Sequence, residues 1–267
     1  MLECYRSGYS ISRTIVPKRM SSQRLLWLGL WIAPHVLLIA VAIMMLRKGR
    51  QKDFPIFFSY LLFEFLQFGI WFTMWYLKVP HLTLIVTDRY LRAGSIAFRF
   101  GIIQEMLESP LGNNIPLRRT VARMLNWVAA FLVILAAVFV GLVYYRLPSY
   151  ELLKSYSLLE SLNTAQCGLI VCVFLWHRFL GVRMSSFVLG IALGVGLVVG
   201  IEPLMLPFVA GRNLINLDSL QMVSFNLAVL GWLYFAAVRE TVASQFNAAQ
   251  LLQFSEWADG VGRITRL

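Results

Sequence analysis

Apolar residues along this chain fall into seven long runs separated by short polar breaks. The runs cover residues 25–46, 54–77, 82–107, 121–145, 152–176, 185–207 and 220–238. Each is close to the roughly 20 residues that a helix needs to cross about 30 Å of hydrocarbon. Short breaks mean that neighbouring helices should pack antiparallel within one unit. The pattern therefore predicts an all-α fold, a polytopic bundle of seven transmembrane helices over residues 25–240. A basic segment precedes it at 1–24, and a helical tail follows at 241–267. The last helix is expected to run on through TVASQFNAAQLLQFSEWA and to fray at GVGRITRL.

One run differs from the others. Residues 87–107 read TDRYLRAGSIAFRFGIIQEML, apolar enough for a bilayer yet carrying Arg92 and Arg99 inside and Glu105 near the end. Arg92, Ser95, Arg99 and Ile103 follow i, i+3, i+7, i+11 and so share one helical face. A charge at membrane depth costs roughly 2.5–3.5 kcal/mol on insertion scales, so such residues turn inward and take partners. The third helix is expected at the centre of the bundle.

Composition agrees with a membrane protein: 59% of the residues are hydrophobic and 14% charged. A soluble domain lies nearer ~45–50% and ~25%. The net charge of +11 would suggest nucleic acid in a soluble protein, but the basic residues sit at the ends of the runs, where they meet headgroups and set orientation. Nucleic acid is excluded as a partner on this ground. The three cysteines, Cys4, Cys167 and Cys172, form no C-x-x-C. Cys167 and Cys172 lie about 140° apart around a helix, so they read as small buried hydrophobes. The first apolar run is too long for a signal-peptide core and lacks a small-residue cleavage site. Met20, directly before SSQRLLW, is a second candidate start that would set residues 1–19 aside.

Orientation follows from Lys and Arg. The first connection holds Arg47, Lys48, Arg50 and Lys52; the third holds Arg118 and Arg119, with Arg123 just beyond; the fifth holds Arg178 and Arg183. The opposite side holds Lys78, Arg146, Lys154 and Arg212. The odd connections and the C-terminus are therefore expected in the cytoplasm and the N-terminus outside. The basic N-terminal segment runs against this, and a start at Met20 would remove four of its five charges. Trp27, Trp71, Trp75, Tyr76, Tyr144 and Tyr145 fit the aromatic belt of the outer interface.

Candidate chemistry gathers on three helices. YLLFEFLQ (60–67) and YSLLESLN (156–163) each place a Glu and an amide three residues apart, which forms one polar strip suited to an arginine, a cation or a polar ligand. Counted inward at about 1.5 Å per residue, Glu160 lies ~12 Å deep, Arg92 ~15 Å, Glu64 ~20 Å and Arg99 ~25 Å. Glu64 is thus expected to bridge the two arginines, and Glu160 to reach Arg92. The candidate polar core is Glu64, Gln67, Arg92, Arg99, Glu160 and Asn163. It is read either as a ligand site or as ion pairs that fix helix packing alone. The two strips also allow an inverted repeat of three helices each, as in secondary transporters, or chance likeness between Leu-rich helices.

In the sixth run, Gly190 with Gly194 and Gly196 with Gly200 are two small-xxx-small pairs on different faces, so this helix can approach two neighbours closely. Glu202, Pro203 and Pro207 then interrupt it, which reads as a helix end or as the lining of a cavity. Asn126, Asp218, Gln221 and Asn226 are expected to add hydrogen bonds. No lysine lies in the seventh run, so a retinal Schiff base there is excluded. Asp88-Arg89-Tyr90 stands at the start of its helix, the wrong end for a receptor triplet. His35, His81 and His177 lie at unmatched depths, which disfavours a two-histidine haem. No H-E-x-x-H, G-x-S-x-G or P-loop occurs. No catalytic residue, metal or cofactor is assigned.

The run pattern and the polar third helix resemble those of small seven-helix inner-membrane proteins of bacteria, which implies an inner-membrane location and brings no activity with it. More distantly, the layout is similar to the seven-helix sensor region that precedes histidine kinases, although here only a short tail follows. Together these readings lead to a non-enzymatic membrane module, sensor-like or scaffolding. Its expected partners are the lipid bilayer, a small ligand in the polar core and a protein at the cytoplasmic face. A small secondary transporter with a midplane site is the alternative.

Overall fold

The computed structural model describes residues 22–109, 151–180, 184–209 and 217–238, with isolated positions between 123 and 138. All the secondary structure described is helical. In chain order the helices are α1 (Ser22–Arg47), α2 (Pro55–Tyr76), α3 (His81–Glu108), α4 (Glu151–Leu180), α5 (Ser186–Val209) and α6 (Leu217–Ala237). They coincide with six of the seven apolar runs. The run at 121–145, with Asn126, lies outside the described residues apart from those isolated positions, as does the tail at 241–267. Leu28–Arg47, Pro55–Tyr76 and Leu220–Ala237 are long and apolar enough to cross a membrane.

Each helix packs on its neighbours in chain order, and α6 returns to pack on α1, so the six form a ring; α3 also reaches α5. The dry core fills one end of this ring. It holds Leu38, Val41 and Met45 of α1, Phe57 and Leu61 of α2, Ile102 and Met106 of α3, Leu169 and Val173 of α4, Val188 and Ile191 of α5, and Val229 and Trp232 of α6. Aromatic rings tie its centre together: Phe57 meets Trp232 edge-on at 5.3 Å, and Phe54 meets Phe187 at 5.2 Å. Offset and edge-to-face geometry suits the ring quadrupoles.

Close approach at the α5–α6 seam depends on glycine. A Cβ on Gly190 would meet Phe235, and one on Gly194 would run into Trp232. On another face of α5, a Cβ on Gly196 would lie 3.6 Å from Ile170 of α4, an ordinary contact. Both neighbours of α5 are thus reached through small residues, with the tight fit on the α6 side alone.

Helix ends and breaks explain the connections. Gly49 has φ 71°. Its N–H donates to the Leu46 carbonyl at 3.2 Å, and that of Arg50 to Met45 at 3.0 Å. This is the Schellman arrangement, in which the left-handed residue is normally glycine. The end of α2 repeats it with Lys78 at φ 51°: Lys78 donates to Trp75 at 3.3 Å and Val79 to Met74 at 3.2 Å. Within α1, Pro34 has no N–H and leaves the Leu30 carbonyl unpaired in the helix. Asn226 of α6 repairs this: its Nδ2 donates to Leu30 O at 2.9 Å and to Met222 O at 2.8 Å. One side-chain amide joins α1 to α6 at the point where α1 is broken.

A left-handed conformation costs a residue with a Cβ roughly 1–2 kcal/mol, part of which glycine returns through its freer unfolded chain. Lys78→Gly should therefore raise stability by about 0.5–1 kcal/mol, read as an increase in melting temperature in detergent. An unchanged or lower melting temperature would contradict the turn geometry.

Candidate polar core between α2, α3 and α4

The polar stripe of α3 turns into the ring. Relative exposure falls to 4% at Ser95, 9% at Arg99 and 0% at Ile103. The stripe meets α2 on one side and α4 on the other. Pro55, fixed in φ and lacking an N–H, opens α2 at the position where proline fits best, and this sets the register of Tyr60, Glu64 and Gln67 towards α3.

Ser95 is the centre of the contact with α2. Its hydroxyl lies 2.8 Å from Glu64 Oε1 and 3.1 Å from Gln67 Oε1. A hydroxyl has one proton, so these two acceptors share it. Glu64 also accepts a hydrogen bond from the Tyr60 hydroxyl and is attracted by the Arg99 guanidinium. Arg99 donates through Nε to its own helix at Ser95 O, 3.3 Å, and through Nη1 to Asn163 Oδ1 of α4, 3.3 Å. One turn further along α4, Gln166 is fully buried and donates from Nε2 to Ile96 O of α3 at 2.7 Å. Its Oε1 meets no acceptor-seeking group among the described residues.

Of the six residues in the sequence-derived core, the structure gathers Glu64, Gln67, Arg99 and Asn163 around Ser95. Arg92 lies toward the start of α3 and pairs through Nε with Asp88 Oδ2 at 3.0 Å, an i, i+4 ion pair. Glu160 lies on α4, but its side chain is outside the described residues. The link from Glu64 to Arg99 runs by way of Ser95, where direct ion pairing had been anticipated. Ser95 lies on the stripe but outside the candidate core, which held only charged and amide side chains. Gln166 was missed, although its position three residues after Asn163 continues that strip. Asp88 was set aside with its triplet, although its i, i+4 spacing from Arg92 was the available signal.

Three further polar side chains act at helix ends. The Glu105 carboxylate accepts from the N–H groups of Ile56 at 2.9 Å and Phe57 at 3.0 Å. These amides open α2 and have no partner within it, and a carboxylate also suits the positive end of the helix. At the same end of the ring, Lys48 Nζ donates to the carbonyls of Ala236 at 2.7 Å, Ala237 at 2.6 Å and Val238 at 3.3 Å. Arg50 reaches Phe235, Ala236 and Val238, with its guanidinium 4.6 Å from the Phe187 ring centre. Two cations thus close the C-terminus of α6.

A third cluster lies next to Pro34. His35 stacks on Phe68 at 3.9 Å, and its Nδ1 is 2.9 Å from Trp31 O. Among the described residues no group of three or more His, Cys, Asp or Glu is placed to hold a metal ion. The polar groups of the core bond to one another across α2, α3 and α4. Comparison of the chain with protein-family models, curated proteins and solved structures finds no match.

Removing the donor of a buried hydrogen bond leaves its acceptor unsatisfied, at a cost of roughly 1–3 kcal/mol per group. Arg99→Met should lower stability by a few kcal/mol, since Asn163 Oδ1 loses its donor and Glu64 keeps only neutral partners. Adding Glu64→Gln to Arg99→Met should restore part of the loss. Strictly additive losses in thermal melts of the single and double variants would show that the two groups are not coupled.

Proposed function

We propose that this chain is a non-enzymatic multi-pass membrane protein, a seven-helix module of sensor-like or scaffolding type whose buried polar core receives a small polar ligand. The observation that carries the reading is the position of that core. Glu64, Ser95, Arg99 and Asn163 stand directly above the apolar plug formed by Phe57, Leu61, Ile103, Leu169 and Trp232. The plug occupies the end of the ring that holds the 47–54 turn. A small molecule can reach such a core from the opposite side, or remain in it, without a path through.

Three apolar helices of spanning length support the membrane reading. The charged α3 fits within it because its guanidinium is turned into the ring and hydrogen-bonded, as a charge at membrane depth requires. We further infer that the run at 121–145 supplies the seventh span, that the 47–54 turn and the C-terminus face the cytoplasm, and that the N-terminus lies outside an inner membrane. A protein partner would meet the cytoplasmic face. The competing reading, a small secondary transporter, requires the same core to open to both sides in turn.

The test is substituted-cysteine labelling. With Cys4, Cys167 and Cys172 replaced by Ser, Gln67→Cys and Asn163→Cys should react with a membrane-impermeant maleimide from the outside only, or from neither side. Right-side-out and inverted vesicles separate the cases. Labelling from both sides would favour the transporter, and reporter fusions at residues 50 and 267 that read outside would overturn the orientation.

A further inference from the structure

We propose that the turn joining α1 to α2 binds the headgroup of an anionic phospholipid through Arg47 and Lys52. The inference rests on the membrane reading and adds a defined lipid site to it.

Residues 47–52 read RKGRQK. The four cations are not equivalent in the fold. Arg50 is buried and Lys48 exposed, and the side-chain donors of both are committed to the last carbonyls of α6. Arg47 and Lys52 are exposed, and among the described residues neither faces an acidic group. The nearby acids are accounted for: Asp53 is exposed on the same turn, and Glu105 is bound to the opening amides of α2. Around the positive-φ turn at Gly49 the inner two of the four cations thus bond to the protein and the outer two face the surroundings.

The helix leading into this turn supplies the other half of the argument. Val36, Ile39, Ile43 and Leu46 are 60%, 40%, 45% and 50% exposed. Ile39, Ile43 and Arg47 follow i, i+4, i+8, so an uncovered apolar stripe ends at an unpaired guanidinium. A phospholipid has this pattern in one molecule, with an acyl chain to lie along the stripe and a phosphate to meet the cations. An acidic peptide would satisfy Arg47 and Lys52 but leave the stripe uncovered. Choline headgroups carry their own cation beside the phosphate, so a net negative lipid is the better match.

The full chain, extracted in detergent, is mixed with equal amounts of phosphatidylglycerol and phosphatidylcholine, and retained lipid is read by native mass spectrometry. The wild type should retain phosphatidylglycerol preferentially, and the preference should fall roughly fivefold for each cation removed in Arg47→Gln and Lys52→Gln. Lys48→Gln should keep the preference and melt at a lower temperature. The wild type alone gives an independent check, because raising the salt to about 1 M should erase the preference. Equal retention of the two lipids by the wild type, or an unchanged preference in the double variant, would overturn the site. So would loss of the preference in Lys48→Gln with its melting temperature intact. Release of the chain from membranes by alkaline carbonate would overturn the membrane reading itself, a different result from equal lipid retention.

Discussion

A guanidinium inside an apolar helical bundle has to be surrounded before anything else can be packed, and in this protein that guanidinium is Arg99. It is 9% exposed. Its partners come from its own helix, through Ser95 O, and from α4, through Asn163. Its countercharge, Glu64, comes from α2. No single neighbour could supply all three. The requirement therefore fixes which helices flank α3 and how far each slides along it. Ser95 links the two sides, since its hydroxyl bonds to α2 while its carbonyl accepts from Arg99.

The same demand for partners operates at the helix ends. A helix terminus exposes amides or carbonyls that have no bond within the helix. Here the beginning of α2 is closed by Glu105 of α3, and the end of α6 by Lys48 and Arg50 of the α1–α2 turn. Both closures come from other elements, so each is also a tertiary contact. The ring is held at this end by charge on dipole, just above it by apolar packing, and at mid-height by the hydrogen bonds of Ser95 and Arg99. The break at Pro34 follows the same rule, with Asn226 supplying the missing donor. The seam between the first and last helices is thereby made specific: a leucine at 226 would pack but would leave Leu30 O without a donor.

Period and length were legible in the sequence. The apolar runs mark the described helices to within a few residues because a run of some twenty apolar positions has few other uses. The i, i+3, i+7 spacing puts Ser95 and Arg99 on one face, and depth counting puts Glu64 between Arg92 and Arg99. What it could not resolve is how the charges connect. Counting along helices treats each side chain as a point at its own Cα, whereas arginine and glutamine lean back a turn along their helix. Ser95 thus became the meeting point although it carries no charge. The basic residues of the first connection count as one set in the sequence for a related reason. A count of Lys and Arg sees four equal positive charges, and only the fold distinguishes the pair that caps α6 from the pair that faces outward.

On the proposed membrane reading, that division bears on how the chain is oriented. Charges spent on helix caps are screened by the carbonyls they bind and contribute little field at the surface, while unpaired ones act at full strength within about a Debye length. The orienting force at the 47–52 turn then comes chiefly from Arg47 and Lys52, half of the formal charge there. At the other end of α2, Lys78 occupies a left-handed turn position that glycine fills in the first turn. On the proposed membrane reading, the four cations of the first connection do not weigh equally, because two are bound to the α6 carbonyls and two face outward.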